Sequence, residues 1–183
     1  LRIISACKLT GKRFKIVPSL AELIDKDVSI AAIRDVSYLD LLGREEVKLD
    51  MNSIEELLHG KRVLITGAGG SIGSELVQQC LAFGPSEIIC LDNNEEKIFD
   101  IMTLSTTSKS NTIIKPVLGN INEKNQLEKV FNENRPQIVF HAAAYKHVPI
   151  QETHPWTAVR TNVGGTLGML ELADKYHAEK FVL

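Results

Sequence analysis

Excess charge, cysteine and long apolar runs are what this 183-residue sequence has least of. Its 21 Lys and Arg nearly balance 23 Asp and Glu, giving a formal charge of −2. That balance gives no support for nucleic-acid binding, and no nucleic acid is expected as a partner. Cys7, Cys80 and Cys90 are an odd set without metal-ligand spacing. They argue against a disulfide framework and a zinc site; reduced, buried thiols are expected, and no metal. No stretch reaches the roughly 18 apolar residues of a membrane span, and nothing at the start reads as a signal peptide. The expectation is a chain not inserted in a membrane, working on the cytoplasmic side. No internal repeat is present.

What is present is a hydrophobic content of 44%, arranged from Lys61 onward in regular strand–helix alternation. The first 50 residues differ. Residues 3–7 read as the end of a helix stopped by Gly11, residues 14–17 as a strand, 20–24 as a helix after Pro18-Ser19, and 28–36 as β-rich. So few elements cannot close a core of their own. Residues 1–50 are therefore expected to be the tail of a preceding α/β domain plus a connector. A short helix follows, with Asn52 or Ser53 as its cap, Ser53 and Glu56 at capping-box spacing, and Gly60 at its end.

The chain is organised around KRVLITGAGGSIGSE at 61–75. Val63-Leu64-Ile65 is an unbroken apolar run, the pattern of a strand buried on both faces. Glycines break it, and 71–83 reads as a helix. Unpaired N–H groups at the helix start, those of Ser71, Ile72 and Gly73, combine with the helix dipole into a phosphate site. Gly67 permits the tight turn, Gly70 lets a pyrophosphate approach the backbone, and Gly73 lets the helix lie close on its strand. The spacing is Gly-x-x-Gly-x-x-Gly, and such a triplet alone is a weak signal. Asp92 strengthens it. This aspartate ends the apolar run 88–91, roughly 20 residues past the last glycine, where a ribose-binding carboxylate belongs. The competing reading is a loop glycine cluster and an unrelated strand-end aspartate.

Strands are predicted at 62–66, 87–92, 112–118 and 137–141, with a fifth beginning at Lys180. Helices are predicted at 71–83, at 95–104, from an Asn122 cap through Asn134, and from Pro155 to about Tyr176. The polar run 105–111 reads as a loop and 142–154 as a long connection. Alternation of this kind means right-handed crossovers and a parallel sheet. The predicted fold is α/β, a Rossmann-type doubly wound sheet ordered 3-2-1-4-5, with residues 51–183 as the N-terminal part of a dinucleotide-binding domain.

Ligands in such sheets lie beyond the C-terminal strand ends. After strand two come Asp92 and Asn93. Asp92 can accept both ribose hydroxyls of NAD but repels the 2′-phosphate of NADP, and residues 93–96 supply no cation, so NAD is favoured. After strand three, Asn120 and Ile121 follow Gly119; Asn120 can face adenine, or serve only its turn. After strand four, Ala142, Ala143 and Ala144 are small where a nicotinamide ribose would press, though close packing alone would also explain them. Lys146 could bind cofactor, and Lys146 and His147 a substrate diphosphate, or the two are a solvated pair. His141 reads as a structural histidine. Asn162 could brace strand four or hold a water. Gly164, Gly165 and Gly168 each cost about 1 kcal/mol in a helix relative to alanine, which close packing would explain. Tyr176-x-x-x-Lys180 matches a proton-transfer pair, but its Lys180 opens strand five at the edge opposite the nicotinamide, so it reads as a decoy.

With these residues in place, the sequence resembles the extended short-chain dehydrogenase/reductase superfamily. Within it, the chain is similar to the polysaccharide-biosynthesis group of nucleotide-sugar 4,6-dehydratases. The resemblance rests on Asp40-Leu-Leu-Gly-Arg44, Thr66-Gly-Ala-Gly-Gly-Ser-Ile-Gly-Ser-Glu75, His141-Ala-Ala-Ala-Tyr-Lys-His-Val-Pro149 and Thr161-Asn-Val-x-Gly-Thr166. It implies a UDP-N-acetylglucosamine substrate, hydride removal from C4 by NAD, loss of water across C5 and C6, and hydride return at C6. It also implies a homo-oligomer and, in larger members, a membrane-anchored parent with a first α/β domain. Asn120 stands where the group has aspartate. The group's acid–base residues follow strand five, so no catalytic residue is assigned here. Because Leu183 falls inside that strand, the expectation is a piece of a longer protein that binds NAD weakly and turns over no sugar nucleotide. An epimerase or reductase of the same superfamily, or a non-catalytic dinucleotide-sensing module, is the alternative.

Overall fold

A computed structural model describes residues 15–16, 34–35, 49–107 and 111–183, with backbone alone for 16, 34–35 and 104–107. The chain divides into two compact units, Leu1–Leu49 and Asp50–Leu183. In the first, β1 (Lys15–Ile16) pairs antiparallel with β2 (Arg34–Asp35), inside the two runs expected to be extended. The helices expected at 3–7 and 20–24, and Cys7, lie outside the described residues.

The second unit runs α1 (Met51–Leu58), β3 (Arg62–Thr66), α2 (Ser71–Leu81), β4 (Glu87–Asp92), α3 (Glu95–Thr107), β5 (Ile113–Leu118), α4 (Lys124–Asn134) and β6 (Ile138–His141). Then come α5 (Val148–Thr153), α6 (Pro155–Ala158), a π-helical segment (Val159–Gly165), α7 (Thr166–Lys175) and β7 (Lys180–Val182). Strands β3 to β7 form one parallel sheet in the order β5-β4-β3-β6-β7. This is the 3-2-1-4-5 order that the alternation predicts.

Strand side chains alternate between faces, and both faces are covered. Val63, Ile65, Ile88, Cys90 and Ile138 pack with Val77 and Cys80 of α2 and with Ile98 and Ile101 of α3. Leu64, Ile89, Leu91 and Val139 pack on the other side with Leu127, Val130 and Phe131 of α4 and with Met169 and Leu172 of α7. Because α2 and α3 lie on one face while α4 and α7 lie on the other, the chain reverses direction between β3 and β6. That reversal opens a crevice at the C-terminal strand ends.

Several local expectations need correction. Asp50, not Asn52 or Ser53, caps α1: its carboxylate accepts from the N–H groups of Asn52 (3.2 Å) and Ser53 (3.3 Å) and from the Ser53 hydroxyl (2.6 Å). A carboxylate three residues upstream of Ser53 outcompetes its hydroxyl as acceptor, and those same bonds hold the Asp50 carboxyl below its usual range. Helix α4 starts at Lys124 with Glu123 at its N-cap and no side-chain cap bond; Asn122 stands one residue too early, and its amide donates to the Thr161 hydroxyl at 3.0 Å. Helix α2 ends at Leu81 and α3 continues to Thr107, past the expected stop at 104. The connection 142–154 contains α5.

Of the three late glycines, Gly165 alone is packed tight: a Cβ there would lie 2.7 Å from Ile121 Cδ1, whereas Gly164 and Gly168 meet nothing closer than 4.0 Å. Tyr176 packs on Phe131 at 5.9 Å with the Arg135 guanidinium over its ring, and Lys180 opens β7.

Cys80 and Cys90 are free and buried, and burial pushes their thiols up to about 11 and about 12. Thiolate is the reactive form, so neither should react at pH 8 in the folded chain. Iodoacetamide labelling followed by peptide mass mapping should modify both in denaturant and neither without it; native labelling of Cys80 or Cys90 would contradict this packing.

Candidate functional site

The crevice is lined by the loop after β3, by Asp92 and Asn93 after β4, by 119–122 after β5 and by 142–145 after β6. Gly67 has φ +63°, a conformation open to glycine at little cost. A Cβ on it would lie 2.9 Å from backbone atoms of Ala142 and Ala143, so the loop is pressed against the chain leaving β6. The Gly70 N–H donates to Gly67 O at 2.9 Å, and Gly70 precedes α2 with no side-chain cap. The N–H groups of Ser71, Ile72 and Gly73 are thus left without a side-chain partner at the dipole's positive end.

Gly73 is needed for a different reason than expected. A Cβ there would fall 2.0 Å from Gly67 O and 2.7 Å from its carbonyl carbon. The glycine loop itself, rather than the strand, curls onto the first turn of α2.

Asp92 is 8% exposed. One carboxylate oxygen accepts from the Gly69 N–H and the other from the Asn94 N–H, both at 2.9 Å. Asp92 therefore ties the glycine loop to the end of β4. A carboxylate has about four acceptor directions, so two remain for a ligand. The Asn94 side chain accepts from the Lys97 N–H at 3.1 Å and starts α3. This brings in two residues that the motif spacing missed. A Cβ on Gly69 would lie 2.2 Å from Lys97 Cβ and 3.2 Å from Asp92 Oδ2, so the Lys97 stem and the Asp92 carboxylate both border Gly69. The available signal was Asn94 as a helix cap with Lys97 three residues on.

Asn120 behaves as a turn residue. Its side-chain oxygen accepts from the Asn122 N–H at 2.9 Å, and its own N–H donates to Gln126 Oε1 at 3.2 Å. Ile121 is buried in the core and reaches the crevice wall. Ala142 continues the sheet ladder to Thr66 O at 3.1 Å, and Ala143 is half-buried beside it. Lys146 and His147 are exposed and fall past Tyr145, outside the crevice lining.

Asn162 lies in the π-helical segment and clamps the Tyr145 backbone twice. Its Oδ1 accepts from the Tyr145 N–H at 2.9 Å, and its Nδ2 donates to the Tyr145 carbonyl at 2.8 Å. It thus braces the loop after β6, close to the expected brace of that strand. His141 is structural: its ring nitrogens bond the hydroxyls of Thr66 (2.7 Å) and Thr166 (3.0 Å), and its ring lies 5.8 Å from that of Phe181. Among the described residues no cluster of His, Cys, Asp or Glu could hold a metal ion, and no helix is long and apolar enough to cross a membrane.

The crevice fits a dinucleotide on its own geometry. It offers an uncapped helix start, a glycine cradle that Cβ atoms would fill, and a buried carboxylate with acceptor capacity to spare. Fold and site together define a Rossmann-type domain of the extended short-chain dehydrogenase/reductase kind. A family profile described as polysaccharide biosynthesis protein matches residues 63–183, and the chain belongs to that family.

The probable polysaccharide biosynthesis protein EpsC of Bacillus subtilis (strain 168) is 40% identical over 178 residues, 97% of this chain and 30% of the relative. A UDP-N-acetylglucosamine 4,6-dehydratase (inverting) of Campylobacter jejuni (strain 81-176) is 31% identical over 127 residues, 69% of this chain and 36% of the relative. Among solved structures, the UDP-glucose 4-epimerase of Thermus thermophilus in complex with NAD superposes with a TM-score of 0.54 at 31% identity, covering 66% of this chain and 36% of that one. The chain thus spans about a third of the length of each of these relatives.

Burial holds the His141 imidazole below its usual 6.5. The folded chain therefore takes up this proton less readily than the unfolded chain. His141 contributes stability that is complete above pH 6.5 and is lost as pH falls through the lower folded value. Urea unfolding from pH 7.5 to 5.5 should show the native chain losing more stability than His141→Asn. Equal slopes would mean that His141 is protonated in place.

Proposed function

We propose that this chain is the cofactor-binding part of an NAD-dependent nucleotide-sugar 4,6-dehydratase acting in surface-polysaccharide synthesis. In this reading residues 1–50 are the tail of a preceding α/β domain, and 51–183 begin the catalytic domain of a larger, membrane-anchored, homo-oligomeric parent. The observation that carries the proposal is the Gly67–Gly73 cradle on α2 beside Asp92, in a family of polysaccharide biosynthesis proteins. The Campylobacter jejuni relative's name supplies the reaction and the substrate class.

Bound NAD would supply the hydride acceptor for C4 of a UDP-N-acetylhexosamine and the donor for C6. The chain's own residues bind and orient. The N–H groups at the start of α2 take the diphosphate. Asp92 accepts from the ribose hydroxyls of the adenosine half. Ala142, Ala143 and Ala144 leave room for the nicotinamide ribose, and Asn162 fixes the loop that carries Lys146 and His147 toward a substrate diphosphate. An epimerase reading has support in the NAD-bound Thermus thermophilus neighbour. Both reactions begin with hydride removal at C4, so they share this half of the site.

Calorimetry should show NAD binding to the chain, and ADP competing with it. Gly73→Ala, whose Cβ meets Gly67 O, should weaken binding by at least about tenfold by disturbing the diphosphate cradle. A chain that is folded by circular dichroism yet gives no heat with NAD would overturn the reading.

A further inference from the structure

We propose that His141 is a positioning residue of the dinucleotide crevice: its neutral ring holds the last residue of β3 where the glycine cradle needs it, and its protonated ring releases that residue, so nucleotide affinity follows the charge on this one side chain. This rests on the dinucleotide reading above and adds a control to it. The place of the ring is what supports it. His141 ends β6 and is 6% exposed, and Thr66 ends β3 and is sealed from water. The Thr66 hydroxyl bonds the ring at Nδ1 (2.7 Å), and the hydroxyl of Thr166, the first residue of α7, bonds it at Nε2 (3.0 Å). The residues that follow these two strand ends, Gly67 and Ala142, are in closest approach: a Cβ on Gly67 would lie 2.9 Å from the Ala142 carbonyl carbon. The ring therefore stands one residue, along both strands, from the loop that curls onto the first turn of α2.

Among the described residues the Thr66 hydroxyl has this ring as its one partner. A buried O–H that donates to nothing is costly, so the network assigns the hydroxyl as donor to Nδ1 and the Nε2–H as donor to the Thr166 oxygen. That is the neutral ring with both nitrogens satisfied. A second proton can go only on Nδ1, the atom that accepts from Thr66. The Nδ1–H then faces the O–H, and the hydroxyl loses its acceptor. The groups that meet the ring are the two hydroxyls, from β3 and α7, and the Phe181 ring from β7; none carries charge, and burial alone lowers the proton affinity. An imidazolium here is uncompensated, and parting of the ring from Thr66 relieves it. Thr66 carries Gly67 with it, and no side chain lies between Gly67 and its neighbours to absorb the shift.

The test follows NAD binding by calorimetry and the His141 ring by NMR from pH 7.5 downward, with circular dichroism reporting the fold. In the native chain NAD affinity should hold while the ring is neutral and fall about fivefold or more across the range in which it titrates. By reciprocity, saturating NAD should move the ring's midpoint to lower pH, which a merely structural histidine would not do. His141→Asn, with His141→Gln in its place should the first not fold, keeps every other titrating group of chain and ligand, Asp92 and His147 among them. Its NAD affinity should fall less steeply with pH than that of the native chain. Equal slopes, an unmoved midpoint, or a ring that stays neutral until the chain unfolds would each overturn the role of His141 while the dinucleotide reading stands. If the folded native chain binds no NAD at pH 7.5, both readings fall.

Discussion

The closed approach of the glycine loop to its own helix is the constraint on which the rest of the unit depends. Gly67 O lies where a Gly73 Cβ would have to be, and the Gly67 Cα lies against the backbone of Ala142 and Ala143. Three chain segments thus meet with no side chain between them. Such closeness is stable only if something holds the loop down, because a bare turn has no packing of its own. Two hydrogen bonds do so: Gly70 N–H to Gly67 O inside the loop, and Gly69 N–H to the Asp92 carboxylate across from β4. The second is charge-assisted, in a partly buried setting where water competes poorly.

That bond makes Asp92 a part of the scaffold as well as of the site. Its position after β4 follows from the ladder, which pairs Leu91 with Thr66 and sets the end of one strand beside the start of the loop. The parallel register and the glycine cradle are therefore one construction. A slip of one residue in β4 would turn its inward side chains to the other face and carry the carboxylate away from Gly69. The sheet's core, with Val63, Leu64, Ile65, Ile88 and Ile89 fully buried, resists that slip.

The sheet order, the strand ranges and the place of the crevice could be read from the sequence because each depends on a local signal. Unbroken apolar runs mark strands buried on both faces, and glycines mark where they stop. What could not be read depends on which of several possible partners each group takes in the folded chain. The cap of α1 turned on a competition between neighbouring acceptors, which favoured the charged Asp50. Asn122 looked like a helix cap by its spacing, yet the N-cap is Glu123 and the Asn122 amide donates to Thr161, 39 residues on. The role of Gly73 could be sensed but not its reason, since nothing in the spacing says that the loop rather than the strand lies above it. Lys97 went unnoticed because it is five residues past Asp92, outside the run in which a cation was sought.

The π-helical segment answers a question that the motif left open, namely how a long helix can serve the loop after β6 and still pack on the sheet. An α-helix from Pro155 to Lys175 would keep every side chain in one 3.6-residue register. The wider turn over Val159–Gly165 shifts that register once, and such shifts recur at functional sites. Within that segment Asn162 reaches Tyr145 with both of its amide atoms; just past it, Thr166 reaches His141, which in turn holds Thr66 at the end of β3. One helix thereby fastens β3, β6 and the exposed loop 145–147 through neutral groups. Where the bond is buried, as between His141 and Thr66, that is the inexpensive way to hold polar atoms, since a charge there would need a partner of its own. The division of labour follows. The glycine cradle fixes the open start of α2, and the π-helical segment fixes where the exposed loop after β6 begins.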